Sequence, residues 1–389
     1  MTQVTGRPAA GAGMTGGTGA AEGAATGGDV LTAAADRTAT GADAFVAYLS
    51  ERLPLVEQAL AEAAPSALTD AGHGPADDLD RYLYAPLARF TASGGKRVRP
   101  VLCLLGAEAV GGDARRALSS GLAVELFQSA ALIHDDIADE SELRRGEPCL
   151  YRTEGVGLAT NVGDLALTEV FEVVLADDDL DGARKLHVLD TLVRMERHTL
   201  EGQALDLGWA RDGRWDVSTD DYLYMIDAKT AWYSAALPLY LGAVCGGGTE
   251  EAARGLLEVG RLAGIAFQLQ DDLLNLVGDA AAQGKDFRSD VTEGKRTLAV
   301  VWALEHLGAA ERDELVGLLE GKVTDEGRLS RAVELIERGD GIDRCRALAH
   351  AKADAAREAA FGLAERGLIT TEARDLLASM ADFFIERNK

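Results

Sequence analysis

Two clusters of aspartates are the residues of this sequence best suited to chemistry. Asp135, Asp136 and Asp139 lie in IHDDIADE, at the end of an apolar helical stretch. Asp271 and Asp272 lie in FQLQDDLLN, at the end of another. Positions 135 and 139 share one helix face, so their carboxylates crowd together. Clustered carboxylate oxygens suit Mg²⁺, which completes its shell with substrate phosphates, so the pair of clusters predicts a diphosphate-bearing substrate.

Basic side chains stand near both clusters in the sequence. They are Lys96, Arg97, Arg99, Arg144, Arg145, Lys229, Lys285 and Lys295. Arginine forks and lysine charges are common partners of diphosphate oxygens. Taken singly, each basic residue is more often half of a surface ion pair, and one acidic cluster alone could be a solvated helix end. The combination of two acidic clusters with this basic set favours a site for a metal-bound diphosphate.

The elements that must position these residues are helices. Apolar residues recur with a period near 3.6, and Ala, Leu, Glu and Arg dominate. The predicted helical segments are 43–64, 116–138, 157–177, 184–205, 219–246, 252–276, 298–318, 328–338, 342–366 and 371–386. Pro54 predicts a kink, Ser218 with Asp221 a capping box, and Thr324 a further helix start. We expect an all-α bundle of about ten helices in one domain over 41–389.

Composition narrows the function classes. Residues 1–40 are rich in Gly, Ala and Thr and contain no aromatic residue, which predicts a disordered tail. The net charge of −25 disfavours nucleic acid as a partner. Without an apolar run of about 18 residues, a membrane span is not expected. The four cysteines form no CxxC pair, which argues against a zinc cluster or a disulfide framework and predicts a cytoplasmic location.

The motifs, in their order and joint spacing, resemble those of the trans-isoprenyl diphosphate synthases, the polyprenyl synthetase family. GGKRVRP resembles that family's GGKRxRP segment, and HDDIADESELRRG resembles its first aspartate-rich motif with the trailing RRG. LEGQALDL and DAKTAWY resemble its GQxxDL and KTA elements. FQLQDDLLN with GKDFRSDVTEGKRTLA resembles the second aspartate-rich motif and its tail. The similarity runs from about residue 85 to the end.

The resemblance implies a fold, an activity and a set of site residues. The fold is an isoprenoid synthase-type bundle around a central cavity, in a homodimer, and the reaction joins isopentenyl diphosphate head to tail to an allylic diphosphate. The implied isopentenyl diphosphate site is Lys96, Arg99, Gln128 and Arg145. The implied ligands of three Mg²⁺ ions are Asp135, Asp136, Asp139, Asp271 and Asp272. The implied allylic diphosphate site is Arg144, Lys229, Thr230, Gln268, Lys285 and Lys295. Catalysis would rest chiefly on Asp135, Asp139, Asp271, Lys229 and Lys285.

The chemistry expected from these residues is electrostatic. Metal and basic side chains neutralise the leaving diphosphate, and an allylic cation forms in an apolar, water-poor cavity. The double bond of isopentenyl diphosphate attacks that cation, and a proton is then lost, for which the resemblance implies the released diphosphate as base. No His or Cys nucleophile is required, and His134 is interpreted as a packed histidine.

Product length is predicted from the helix that carries the first cluster. Ala131 and Ala130 lie about one turn before Asp135, some 6–7.5 Å deeper, and Phe127 lies about 12 Å deeper. Small residues one turn down and an aromatic residue below them predict a twenty-carbon product, geranylgeranyl diphosphate, or a longer one. The alternative is that the two alanines only allow close helix packing and a neighbouring helix sets the floor; a farnesyl or longer-chain synthase then stays open.

Departures from the family pattern leave two other functions to weigh. Asn275 replaces the last acid of the second motif, Asp286 and Phe287 replace a frequent Pro and short turn, and Gln128 stands where long-chain members often have His. A class I terpene cyclase would use Asp164, Thr168 and Glu172 as its second metal motif, although these lie close to the first. A non-catalytic partner subunit usually loses the acids that are kept here.

Overall fold

Helices make up almost all of the regular structure in the part of the chain that the structure describes. The computed structural model describes residues 41–65, 75–278 and 287–386. The predicted disorder of 1–40 and the predicted site residue Lys285 lie outside these ranges, so both stay predictions. The described residues group as one unit by their contacts. No described helix is both long and apolar enough to cross a membrane.

Fifteen helices, one 3₁₀ turn (Ala114–Ala117) and one short hairpin follow each other along the described chain. The first group is α1 (Asp43–Glu62), α2 (Ala76–Leu79, continued through the π-helical Asp80–Tyr84 and Ala85–Ala92), α3 (Val98–Ala109) and α4 (Leu118–Ala138). Next come β1 (Leu143–Arg144), β2 (Glu147–Pro148), α5 (Leu150–Glu154), α6 (Val156–Leu175) and α7 (Gly182–Arg211). Helix α8 has three parts, Thr219–Ile226, the π-helical Asp227–Ala236 and Leu237–Gly246, and is followed by α9 (Glu250–Val277). The last six are α10 (Ser289–Glu293), α11 (Leu298–His306), α12 (Ala309–Glu320), α13 (Glu326–Arg338), α14 (Gly341–Glu365) and α15 (Thr371–Glu386).

Local chemistry explains most of the boundaries. The capping box predicted at Ser218 is present, with reciprocal hydrogen bonds to Asp221. Pro54 does not interrupt α1. Helix α13 begins at Glu326, two residues before the predicted segment 328–338. Its cap is Asp325 rather than the predicted Thr324, because the Asp325 side chain accepts the hydrogen bond from the N–H of Arg328. The predicted helix 298–318 is divided into α11 and α12, because the backbone is extended at 307 and 308.

Helix α9 lies at the centre of the packing. It runs along α14 on one side and along the π-helical part of α8 on the other, while α4 packs on α6 and α3 packs on the last part of α8. The contact between α3 and α8 is backbone to backbone: a Cβ on Gly242 would lie 2.1 Å from the carbonyl oxygen of Cys103. This close approach fixes α8 against the core and so fixes the residues that its π-helical part carries.

The hairpin after α4 turns on two residues that both have positive φ. Leu143 pairs with Pro148 and Arg144 with Glu147, while Arg145 has φ 55° and Gly146 has φ 85°. Two-residue hairpin loops favour such conformations, and glycine adopts them at little cost. The RRG triplet therefore forms a tight turn that holds its two arginines beside the end of α4.

Candidate active site

The ends of α4 and α9 meet segment 289–297 around a strongly charged pocket of about 380 Å³, the acid pocket. Its acidic lining residues are Asp139, Asp206, Asp271, Asp272, Asp290 and Glu293. Its basic lining residues are Arg144, Lys229, Lys295 and Arg296. Two aspartate clusters that are 136 residues apart in sequence thus contribute to one pocket. Thr230 and Gln268, both predicted for the allylic diphosphate, also line it.

The three aspartates of the first cluster have different surroundings. Asp139 lines the acid pocket, and Asp135 lines the pocket beside it, where Gln203 Nε2 donates a hydrogen bond of 2.6 Å to its carboxylate. Burial raises the pKa of Asp135, and Asp139 adds to this effect while Lys229 opposes it. Asp136 lines neither of these pockets: it is 1 % exposed and accepts a hydrogen bond of 3.0 Å from Arg144 Nε. The structure therefore places Asp136 under the hairpin, rather than with the pocket aspartates among which we expected it.

The second cluster is anchored by a buried tyrosine. Asp271 and Asp272 both line the pocket, and Asp272, which is buried, accepts hydrogen bonds from the hydroxyl of Tyr222 and, at 2.8 Å, from Gln268 Nε2. Burial raises the pKa of Asp272 well above its usual range. Burial also raises the pKa of Asp290 to about 6, with Lys295 opposing and Asp271 adding to the shift. Sequence reasoning missed Tyr222 and Asp290, because neither belongs to an acidic run.

Asn275 departs from the family pattern for a structural reason. Its Nδ2 donates to Ser289 Oγ at 2.9 Å, and its Oδ1 accepts from the N–H of Asp290 at 3.1 Å. An aspartate could accept from both groups too, since the Ser289 hydroxyl can also donate, but the neutral amide makes the two bonds without adding another negative charge to a pocket already lined by Asp271 and Asp290. Asn275 thereby ties α9 to the start of α10 at the pocket edge.

Lys229 pairs with Asp206, the aspartate of the GQALDL segment, for which the sequence predicted no role. Lys229 Nζ lies 2.6 Å from Asp206 Oδ2. Burial alone would lower the pKa of Lys229, but Asp206 and Asp135 raise it above its usual value. A Cβ on Gly202 would lie 2.4 Å from the backbone nitrogen of Lys229, so the glycine of this segment lets α7 approach α8. The ion pair with Asp206 thus keeps Lys229 protonated at the boundary between the two pockets.

A group of arginines lies near the hairpin, next to the acid pocket. Arg145 Nη1 donates to Ser93 Oγ at 3.0 Å, and a Cβ on Gly95 would lie 3.2 Å from Arg145 Nη2. Partial burial lowers the pKa of Arg145, and the neighbouring positive charges of Arg97, Arg144 and Arg99 lower it further. Cations that repel one another in this way favour a bound anion.

The other residues predicted for isopentenyl diphosphate lie on α3, on α4 or just before α3. Arg99 donates to Ser234 Oγ at 2.7 Å and stacks over the ring of Tyr233 at 4.5 Å. Gln128 is half-buried and Lys96 is exposed, with its Nζ 5.8 Å from the centre of the Phe383 ring. Arg97, in contrast, is buried between Glu125 and Glu57 at 2.7 and 2.8 Å. The GGKRVRP motif thus contains one structural arginine between two candidate anion-binding residues.

An apolar pocket of about 240 Å³, the chain pocket, adjoins the acid pocket. Lys229 and Thr230 line both. Phe127 and Ala131 line the chain pocket, and Phe127 makes an edge-to-face contact with Tyr233 at 5.5 Å. Ala130 does not share this position: it is buried in the cluster that includes Leu87, Phe90 and Ile133. Successive helix residues point about 100° apart, so Ala130 belongs to the core and only Ala131 faces the chain pocket.

The residues proposed for a cyclase motif lie elsewhere. Asp164, Thr168 and Glu172 are all exposed on α6. The hydroxyl of Thr168 donates to the backbone carbonyl of Asp164 at 3.1 Å, as an exposed helical threonine commonly does. His134 lies against this helix, with Nε2 3.3 Å from the carbonyl of Thr160, which agrees with a packed histidine.

The carboxylates fit a divalent cation that is completed by a ligand rather than enclosed by protein. Among the described residues, no three His, Cys, Asp or Glu side chains come close enough to form a metal site on their own. Nevertheless, Asp139, Asp271 and Asp290 line one pocket, where burial and, to a smaller extent, the charge of Asp271 raise the pKa of Asp290. Mg²⁺ typically binds one or two carboxylates together with substrate phosphates, which matches this arrangement.

Comparison with known proteins decides the family. Residues 80–336 match the model of the polyprenyl synthetase family. The chain belongs to the polyprenyl synthetase family. The predicted family, the all-α fold and the prenyltransferase class are thereby confirmed.

Individual relatives agree with the family match. The chain is 39% identical over 297 residues to a short chain isoprenyl diphosphate synthase of Methanothermobacter thermautotrophicus, covering 76% of this chain and 87% of that protein. Its fold matches a geranylgeranyl pyrophosphate synthetase from Pyrococcus horikoshii, with a TM-score of 0.77, 32% identity, and coverage of 88% of this chain and 98% of that one. It also matches a geranylgeranyl pyrophosphate synthase from Corynebacterium glutamicum complexed with isoprenyl diphosphate and magnesium, with a TM-score of 0.72, 27% identity, and coverage of 89% and 97%.

Replacing Lys229 by Met should destabilise the protein by about 3 kcal/mol, because it leaves the carboxylate of Asp206 without its nearest counter-charge. Replacing both residues, Lys229→Met with Asp206→Leu, should recover more than half of this loss. The free energy of unfolding in urea, followed by circular dichroism, measures both effects. The control is Arg254→Met, which removes an exposed pair with Glu250 and should cost at most about 0.5 kcal/mol. Equal losses in the two single variants would contradict the role assigned to Lys229.

Proposed function

We propose that this chain condenses isopentenyl diphosphate with an allylic diphosphate, head to tail, to give an all-trans prenyl diphosphate. The observation that carries the proposal is that the acid pocket and the chain pocket meet at Lys229 and Thr230. An allylic diphosphate has an anionic head and a hydrocarbon tail, and the two adjoining pockets offer one compartment for each. The arginines near the hairpin offer the second diphosphate its own place.

Each group of side chains has a defined task in this reaction. Asp135, Asp139 and Asp271 would hold Mg²⁺, as three ions by the family resemblance. When bound, the metal neutralises charge on the leaving diphosphate. Lys229 and Lys295 add positive charge, and Thr230 and Gln268 can donate hydrogen bonds to the same diphosphate. Arg144 and, outside the described residues, Lys285 are proposed to join this set.

The remaining residues orient the second substrate and exclude water. Arg99 and Arg145, with Lys96 and Gln128, would fix the diphosphate of isopentenyl diphosphate, which brings its double bond to the allylic carbon. The apolar walls of the chain pocket surround the cation that forms and keep water from capturing it. A general base from the protein is not needed if the released diphosphate accepts the proton.

The cytoplasmic location predicted from the cysteines is part of the proposal. All four cysteines are unpaired and buried. Burial raises the pKa values of Cys103 and Cys345, which keeps their thiols in the unreactive protonated form. Buried thiols of this kind are compatible with a reducing compartment.

The direct test is incubation with labelled isopentenyl diphosphate, Mg²⁺ and each allylic starter in turn, followed by sizing of the products. Elongation should disappear when Mg²⁺ is chelated. Asp135→Ala should lower turnover by about 10²-fold or more, because it removes a carboxylate that would hold the Mg²⁺ needed to neutralise the leaving diphosphate. Asp164→Ala, which changes an exposed acid of the cyclase-like triplet, is the matched control and should retain wild-type turnover. Wild-type turnover in the Asp135 variant would contradict the metal assignment, and absence of elongation with every starter would favour a cyclase or a non-catalytic partner subunit.

The product is proposed to be geranylgeranyl diphosphate. Ala131 leaves the upper part of the chain pocket open, and the ring of Phe127, held by Tyr233, lies two turns below Asp135. The distance from Asp135 to Phe127 along the helix is about 12 Å. This depth leaves room for isoprene units beyond those that an aromatic residue at 131 would admit.

Ala131→Phe should therefore shorten the main product, because the new ring would fill the pocket about one turn below the metal-binding end. Product sizing under identical substrate ratios measures the effect. Ala347→Phe, on the exposed face of α14, is the control and should leave the product unchanged. An unchanged product from Ala131→Phe would show that another helix sets the floor.

A homodimer is proposed from the surface of α6 and α7. Of the eleven large apolar side chains that are exposed among the described residues, six lie on these two helices. Four of them, Leu186, Val193, Leu200 and Leu207, follow each other at seven-residue intervals along α7 and are 41–70% exposed. A stripe with this spacing on an exposed helix is typical of a helix that packs on another subunit.

Introducing charge into this stripe should separate the subunits. The variant Leu186→Asp with Val193→Asp should elute as a monomer, because two carboxylates would be buried in an apolar interface. Light scattering should give the 41.0 kDa chain mass for the variant and twice that mass for the wild type. Val46→Asp, an exposed apolar position on α1, should keep the wild-type mass. A monomeric wild type would refute the proposed dimer.

A further inference from the structure

The chain pocket contains two polar groups that neither the motifs nor the proposed reaction use. Glu196 and Thr199 line it from α7, among apolar neighbours such as Leu167 and Leu200. Oε1 of Glu196 and Oγ1 of Thr199 are buried and have no hydrogen-bond partner among the described residues. Leaving a buried carboxyl oxygen unpaired is unfavourable, especially when it is charged. A polar patch in a pocket for hydrocarbon calls for an explanation.

The depth of Glu196 follows from its helix. Gln203 contacts Asp135 at the metal-binding end, and Glu196 lies seven residues earlier on α7, about 10.5 Å deeper. Phe127 lies about 12 Å deeper than Asp135 on α4. The early parts of both helices belong to one core cluster, since Leu126 and Phe127 share it with Leu192 and Met195. Glu196 therefore lies at the level of the Phe127 floor, where the far end of a growing chain arrives.

We propose that Glu196 is a specificity-determining residue whose carboxyl group, beside Phe127, decides how long a prenyl chain the pocket accepts. The inference rests on the proposed function. As a carboxylate, Glu196 keeps water at the floor and disfavours contact with the chain, so growth stops earlier. As a neutral carboxylic acid it tolerates hydrocarbon, so a further isoprene unit can enter. Thr199, one turn along the same helix, lines the wall between Glu196 and the reacting end.

The surroundings of Glu196 let it change charge near neutral pH. Burial raises its pKa to about 7. The ionisable groups that line the same pocket from the neighbouring helices are His134 and Asp135 on α4 and Lys229 and Tyr233 on α8, and α6 contributes Leu167. Glu196 is thus mainly neutral below about pH 7 and mainly ionised above it, so lower pH should favour longer products.

The test compares product lengths for wild type and Glu196→Gln at about pH 6 and pH 8. A group with a pKa near 7 is about nine-tenths protonated at the first pH and about one-tenth at the second. The wild-type ratio of longer to shorter product should therefore fall several-fold between them. Glu196→Gln, which is neutral and nearly isosteric, should give the high ratio of longer to shorter product at both pH values. Thr199→Val should keep the pH dependence, because the hydroxyl does not titrate.

Two further variants make the result decisive. Glu201→Gln, on the same helix but exposed and paired with Arg197 at 3.3 Å, should retain the wild-type ratio and its pH dependence. Glu196→Met, of similar volume, should behave like the Gln variant, and circular dichroism checks that each variant folds. Normal elongation with the same ratio and pH dependence in Glu196→Gln as in wild type would overturn this inference alone. A wild type that elongates no starter would overturn the proposed function and this inference with it.

Discussion

Repulsion between like charges at the meeting point of α4 and α9 is the constraint on which the rest of the site depends. Asp139, Asp271 and Asp290 face one pocket, and burial weakens the solvation that would otherwise screen them. The protein offsets this repulsion in part, with Lys229 and Lys295 close by, and leaves the remainder to be offset by what binds. Such an excess of carboxylates is the chemistry that suits a divalent cation, and through it the diphosphates of the proposed reaction.

The acids that pair with other side chains show how the arrangement is kept rigid. Asp136 accepts from Arg144 and Asp272 accepts from Tyr222, so in each cluster one aspartate is tied to a side chain of another element, while the aspartate before it lines one of the two pockets. A doubled aspartate on a helix therefore has two functions, because adjacent residues point about 100° apart. Asp206 likewise fixes the position of Lys229 through an ion pair, and Lys229 lines both pockets.

The π-helical part of α8 gives the site its second compartment. Its wider turn carries Lys229, Thr230 and Tyr233 past Gly202 of α7 and into the space between α4 and α9. Such local widenings often occur at functional sites, because they reorient side chains without ending the helix. Here Lys229 and Thr230 line both pockets, and Tyr233 contacts the ring of Phe127 in the wall of the chain pocket.

The sequence by itself determined the helices, the family and the acidic clusters, because helical periodicity, capping residues and motif spacing are local properties. It predicted that positions 135 and 139 share a face, and it placed Lys229 and Asp271 at the site. Only the tertiary structure decided that Ala130 lies in the core while Ala131 lines the chain pocket, and that Asn275 ties α9 to α10. It also decided that Asp206 pairs with Lys229, that Tyr222 donates to Asp272 and that Glu196 lines the chain pocket. These depend on which neighbour each helix face meets, and no spacing within one helix specifies its partners.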